Sequence, residues 1–147
     1  MPQGGSVVNT DPNCIFCKIV AGQIPAMKVY EDEAILAFLD IGPLAEGHLL
    51  IIPKEHAERL EEVNPDVLAQ LARQLPRLAR AVLSVTQAAG YNLLQNNGRV
   101  SGQEVPHVHF HIIPRAAGDG LGYRWLASKY PPGRGEELQK KLLEALG

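Results

Sequence analysis

From Pro65 to Ala89 the apolar residues Leu68, Leu71, Ala72, Leu75, Leu78, Ala79, Val82 and Val85 recur at three- and four-residue steps. That is the period of one helical face, and it predicts a single long amphipathic helix. Pro76 falls inside the stripe and should bend the helix without ending it. Elsewhere the period shortens. Lys28 to Glu31 and Ala34 to Leu39 read as strands joined by a tight Asp32-Glu33 turn, His48 to Ile52 as a buried strand stopped by Pro53, and Tyr91 to Gln95 as a fourth. Pro106 to Ile113 alternates strictly and reads as a fifth. Ile15 to Val20 predicts a short first helix, capped by Asp11 or Asn13 and ended at Ala21-Gly22, and Glu136 to Leu146 a small amphipathic helix at the end. Ile41 to Gly47 and Asn96 to Gln103 carry the glycine and proline punctuation of loops. Strands in adjacent pairs around one long helix favour an α+β domain, with an antiparallel sheet of about five strands and the helix on one face.

A chain of 147 residues is one ordinary domain with room for a real core. Its net charge of -2 and pI near 6.2 give no general pull toward nucleic acid or anionic membrane. Any phosphate recognition must therefore be local. The longest apolar run, Leu49 to Ile52, is far too short to span a bilayer. Residues 1–12 are polar and glycine-bearing, lack the charged and apolar segments of a signal peptide, and are expected to form a flexible tail. The expected compartment is the cytoplasm, where the thiols of Cys14 and Cys17 stay reduced unless something binds them.

The alternation at 107–114 holds the chemistry. His107, His109 and His111 are separated by Val108 and Phe110 and followed by Ile112. On an extended chain the histidines share one face, roughly 6.5–7 Å apart, while the apolar side chains enter the core. Three readings of them compete: a structural, hydrogen-bonded stack; a catalytic metal triad; or a nucleophile toward phosphorus with a neighbour that binds phosphate oxygens. An imidazole nucleophile attacks through one nitrogen and holds its proton on the other. No acidic residue interleaves the three, so a backbone carbonyl would have to accept that proton. The preceding loop, Asn96 to Gln103, offers amides, backbone N–H groups and glycines that suit phosphate oxygens. The pair Cys14-x-x-Cys17 is half a zinc site, a redox dithiol or two buried thiols, and the βαβ setting of a redox motif is missing.

The stretch from Asn96 through Arg115, Asn-Asn-Gly-x-x-x-Gly-Gln-x-x-x-His-x-His-x-His-Ile-Ile-Pro-Arg, resembles the signature of the histidine triad (HIT) nucleotide hydrolases and transferases, and more narrowly their small bacterial and archaeal members. Cys14-Ile-Phe-Cys17-Lys-Ile, Ala37-Phe-Leu-Asp40-Ile, Gly47-His48 and Ile52-Pro-Lys-Glu-His56 follow in the family's order. The resemblance implies a HIT-like fold over 13–122, with residues 123–147 as a C-terminal extension. It implies that His109 attacks the α-phosphorus of a nucleotide and carries the nucleotidyl group covalently until water releases it. His111 and His48 would line the α-phosphate, with Asn96 and Gln103 in the phosphate region. Asp40 would receive the ribose hydroxyls, and Ile15, Phe16 and Ile41 would clamp the base. Where many eukaryotic relatives have a hydroxyl residue this chain has Glu104, whose backbone N–H remains available to phosphate.

The same resemblance implies a structural zinc on Cys14, Cys17, His56 and His107, a closed Cys₂His₂ set with no open position. It also implies a purine nucleotide or nucleotide conjugate as the partner, and a two-fold homodimer built on the long helix and the strand near Tyr91. A nucleoside phosphoramidase is the leading expectation. A dinucleoside polyphosphate hydrolase and a slow purine nucleotide-binding regulator are the alternatives. The tail at 118–133, with Trp125, Tyr130 and Pro131-Pro132, reads either as a surface-packed extension or as a segment folding over the partner's site. Arg115 and Arg124 read as surface charges or as contacts for a polyphosphate.

Overall fold

Helix α1 (Ile15–Val20) is too short to persist alone, since helix nucleation is unfavourable and a turn and a half returns little. It is held by what it buries. Phe16, Cys17 and Ile19 pack against Leu36, Phe38, Leu50 and Ile52, and a large apolar side chain so buried contributes roughly 1.5–3 kcal/mol. Its cap is neither Asp11 nor Asn13. The Cys14 Sγ accepts the Cys17 N–H at 3.4 Å, while Asp11 Oδ1 instead accepts the N–H of Asn13 at 2.9 Å. The computed structural model describes residues 9–122 and 126–147. Residues 1–8 of the expected tail, together with Arg124 and Trp125, lie outside the described residues.

Five strands follow, β1 (Lys28–Glu31), β2 (Ile35–Leu39), β3 (Leu49–Pro53), β4 (Gly90–Gln95) and β5 (Phe110–Arg115). They form one antiparallel sheet in the order β1-β2-β3-β5-β4. β2 and β3 are continuously apolar because both faces are covered. Ile35, Ala37, Leu49, Ile51 and Ile112 point to one face and meet Leu71, Leu78, Ala79 and Val82 of α2 (Pro65–Thr86). Leu36, Phe38, Leu50 and Ile52 point to the other, toward α1. The long helix starts where Asn64 Oδ1 accepts the Asp66 N–H at 2.8 Å, and runs through Pro76 without a break. The expected stripe is buried only through its middle, for Ala72 is exposed and Val85 is 84% exposed. Gly47, at φ +96°, passes so close to α2 that a Cβ there would stand 2.6 Å from the Thr86 methyl.

Helix α3 (Arg134–Leu146) is amphipathic in sequence but buries no residue, and Leu142, Leu143 and Leu146 are more than half exposed. Among the described residues no helix is long and apolar enough to cross a membrane.

Candidate functional site

The histidine segment enters the sheet later than its alternation suggests. β5 begins at Phe110, not Pro106, so only His111 sits in the ladder, opposite Leu50 and Leu94. Ahead of it the chain bends at 105–107 and is bonded elsewhere, Val108 N–H to the Ala57 carbonyl at 2.8 Å and His107 N–H to the Val105 carbonyl at 2.8 Å. The facing survives. Val108 and Ile112 are fully buried, and the three histidines take the other side, facing α1 and the loops around it.

Hydrogen-bond partners set the tautomers, because a carbonyl oxygen can only accept. His107 Nε2 lies 2.8 Å from the Pro53 carbonyl and must carry the proton, which leaves Nδ1 bare. That nitrogen is 3.3 Å from Cys14 Sγ, 3.6 Å from Cys17 Sγ and 3.2 Å from His56 Nδ1, and His56 Nδ1 is 3.4 Å from Cys17 Sγ. A tetrahedral zinc with bonds of about 2.3 Å to sulfur and 2.0–2.1 Å to nitrogen needs S···N edges near ~3.5 Å and N···N edges near ~3.3 Å. The measured edges match that cage. Burial pushes the Cys14 thiol up to about 11 and the His107 imidazole down to about 4, so without a cation the Cys14 thiol and the His107 ring are both neutral. The Cys17 N–H on Cys14 Sγ and the Asp11 N–H on Cys17 Sγ at 3.5 Å are donors suited to thiolates. Cysteine, histidine and distance together fit a divalent soft-to-borderline metal.

His109 has the opposite tautomer. Its Nδ1 carries the proton and donates it to the His107 carbonyl at 2.7 Å, which leaves Nε2 with its lone pair. The backbone carbonyl that the sequence required is therefore supplied two residues upstream. The Phe16 ring stands edge-on to His109 at 5.1 Å and to His107 at 5.8 Å. His48 Nδ1 accepts the Leu44 N–H at 3.1 Å, so its Nε2–H donates to His111 Nδ1 at 2.8 Å, and His111 presents Nε2–H. Burial lowers the pKa of all three rings. For His111, burial and its two imidazole neighbours push it to about 4; for His48, burial outweighs the attraction of Asp40. Around neutral pH the three are uncharged: one acceptor at His109 and one donor at His111.

These rings line a cleft of about 440 Å³. The cleft also brings together Ile15, Phe16, Asp40, Ile41, Asn96 and Glu104. Asp40 Oδ2 lies 3.7 Å from His48 Nε2, while Oδ1 accepts the Gly42 N–H at 2.8 Å. Gln103 is the exception among the residues selected from sequence. It is buried outside the cleft lining, its Oε1 accepting the Gly98 N–H at 2.7 Å and its Nε2 donating to the carbonyls of Glu58 and Val105 at 2.6 and 3.1 Å. All of its amide groups are spent on holding the loop in shape. Arg115 is also engaged, its guanidinium bonded to the Asp119 carboxylate at 2.7 and 2.8 Å, which weakens the reading of it as a polyphosphate contact.

A metal bound by the strand's three histidines does not fit, because His107 turns its bare nitrogen to the sulfurs. Asp40, His48 and His111 do cluster. Their rings, however, share a proton at 2.8 Å, well inside the ~3.3 Å edge of a tetrahedral site. Sequence reasoning missed the apolar remainder of the cleft, Ile19, Ile24, Leu50, Leu94 and Ile113 among it. Strand periodicity held the signal for two of these, since Leu94 pairs with His111 and Ile113 lies two residues beyond it on the same face.

The chain is similar in sequence and fold to known proteins. The HIT domain matches residues 21–118. The chain is 49% identical over 130 residues to "Protein hit" of Bacillus subtilis, covering 86% of this chain and 88% of that protein. It is 46% identical over 138 residues to the adenosine 5'-monophosphoramidase hnt1 of Schizosaccharomyces pombe, covering 88% and 98%. The crystal structure of SMU.412c from Streptococcus mutans superposes with a TM-score of 0.90 at 40% identity, over 98% of this chain and 92% of that one. A Zn-bound histidine triad family protein from Mycobacterium smegmatis superposes with a TM-score of 0.70 at 39% identity, over 91% and 95%.

Proposed function

This chain belongs to the HIT domain family, and we propose that it is a nucleoside phosphoramidase-type hydrolase working through a nucleotidyl-histidine at His109. The observation behind the reading is the 2.7 Å bond from His109 Nδ1–H to the His107 carbonyl, which leaves an unprotonated Nε2 on a ring lining the cleft. Nε2 attacks the α-phosphorus of a purine nucleoside phosphoramidate. The P–N bond breaks with its electron pair on the amine, which takes a proton from water. The carbonyl of His107 holds the proton on Nδ1 and disperses the positive charge that the ring acquires. Water then attacks the phosphorus, the P–Nε2 pair returns to the ring, and the nucleoside monophosphate leaves.

Each neighbour has a place in that cycle. His111 Nε2–H, oriented through His48 and the Leu44 N–H, donates to a phosphate oxygen as charge builds on it. Asn96 and the Glu104 backbone serve the same phosphate. Asp40, with one oxygen tied to Gly42, accepts from the ribose hydroxyls. Phe16, Ile15 and Ile41 flank the base. Gln103 supports this set from behind by fixing the loop.

Cys14, Cys17, His56 and His107 would hold a structural zinc. It would supply no step of the reaction; its charge would favour the thiolate form of its ligands, and the four residues would hold in place the backbone whose carbonyl orients His109. The protein acts in the cytoplasm as a two-fold homodimer, and Tyr91 and Leu93, 42% and 49% exposed on the edge strand β4 beside α2, suit that interface.

Intact-mass measurement after mixing with adenosine 5'-phosphoramidate tests the reading. An adenylyl adduct that is absent in His109→Ala is expected; turnover without His109 would overturn it.

A further inference from the structure

The sheet face that floors the cleft continues into a smaller recess of about 170 Å³. Leu44, Leu94 and Ile113 line both spaces, and Leu121 and Gly122 line the recess alone. Leu94 sits opposite His111 in the ladder, and Ile113 follows His111 on the same face, roughly 6.5–7 Å along the strand. The recess therefore opens one side-chain row from the ring assigned to the phosphate.

Its wall is built. Arg115 donates through Nε and Nη2 to the two oxygens of Asp119 at 2.7 and 2.8 Å, a bidentate pair, and through Nη1 to Asn92 Oδ1 at 2.6 Å. Asp119 Oδ1 accepts the Leu121 N–H at 2.9 Å, and Arg115 Nη2 donates to the Leu121 carbonyl. Both backbone groups of Leu121 are thus fixed, and Leu121 lines the recess together with Leu94 and Ile113. The arginine charge at the rim is balanced by Asp119, so the recess is apolar inside and offers little to an anion. Whole small-molecule sites run roughly 300–1,000 Å³, so a space of 170 Å³ takes one part of a molecule.

We propose that this recess is a leaving-group subsite that receives the aliphatic or small aromatic side chain of the amine expelled from a nucleoside phosphoramidate. The proposal rests on the phosphoramidase reading above and adds the class of amine. Adenosine phosphoramidates of methylamine and of 3-methylbutylamine test it, because the two amines have similar basicity and differ in what they place in the recess. Wild-type protein should favour the larger amine by about tenfold or more in kcat/KM, the scale of a few methylenes in an apolar pocket. Leu121→Trp, which fills the recess, should bring that ratio to one or below. Leu121→Ala, which keeps it open, should retain a preference for the larger amine, and melting temperatures of both variants check their fold. A wild-type ratio near one, or a ratio that Leu121→Trp leaves unmoved, overturns the subsite while turnover of both compounds leaves the phosphoramidase reading standing. Failure to hydrolyse either compound sinks that reading, and the subsite with it.

Discussion

His107 and His109 are the same side chain, two residues apart, both buried, and they expose opposite nitrogens. His107 gives its Nε2–H to the Pro53 carbonyl and turns Nδ1 to two sulfurs; His109 gives its Nδ1–H to the His107 carbonyl and keeps Nε2 for the cleft. Residue type and burial do not separate the two ends of the segment. What separates them is which backbone oxygen lies against which ring edge. The ends are also joined, because the carbonyl that orients His109 belongs to the residue whose ring enters the sulfur cluster. A metal there would steady the nucleophile without touching substrate.

The sharpest way to break this division is His109→Ala. Removing a nucleophile that acts as part of a unit costs roughly four orders of magnitude or more in turnover, so phosphoramidase activity should vanish. Zinc content, read by mass spectrometry of metals, should stay at that of the wild type. Loss of metal in this variant would erase the distinction between the ends. Next in size is His111→Ala, which removes one donor from the phosphate site and should lower kcat about 10²–10³-fold. Third is Cys17→Ser. A partner that merely orients a ligand is worth roughly 10–100-fold in metal affinity, and losing a thiolate should exceed that. The melting temperature should fall, and turnover should drop less than in His111→Ala, since only the orientation of His109 is disturbed. Unchanged turnover together with complete metal loss would cut the proposed link between the ends.

Much of this was readable in the chain. The two-residue spacing of the histidines and the 3.6-residue stripe of α2 report side-chain direction, which depends on local backbone geometry alone. Residues whose role depends on distant partners were harder. Asp11 and Asn13 are good helix caps by type, yet Cys14 caps α1, its sulfur accepting the Cys17 N–H while it also meets His107 Nδ1 from ninety-three residues away. Gln103 has the chemistry of a phosphate ligand, but the carbonyl of Glu58, forty-five residues away, claims its amide. The alternation extends the strand back to Pro106, but the N–H groups of His107 and Val108 go to the carbonyls of Val105 and Ala57 rather than to a neighbouring strand, a pairing that periodicity does not report. The long helix was visible, whereas nothing in its period marked Val85 as exposed.

The smallest expected effect separates the two ends by acid. The folded-state pKa of His111 is about 4, against an ordinary 6.5, because burial and the neighbouring rings of His109 and His48 oppose its charge. Between those values the unfolded chain binds the proton and the folded chain does not, so stability rises with pH across that window and is lost as pH falls from 6.5 toward 4. His48 is shifted in the same direction, by burial. The sulfur cluster is acid-sensitive too, since protonated ligands release metal, and a single acid titration of the wild type would blend both ends. Chemical denaturation of wild-type protein and His111→Asn at pH 7.5, 6 and 5 separates them. The metal contribution is common to both proteins and cancels in the difference, so His111→Asn should lose less stability on acidification. Equal slopes would mean that His111 takes up its proton as readily folded as unfolded. Its Nδ1 would then not be the acceptor of the His48 proton, and the donor assigned to the phosphate would have no fixed orientation.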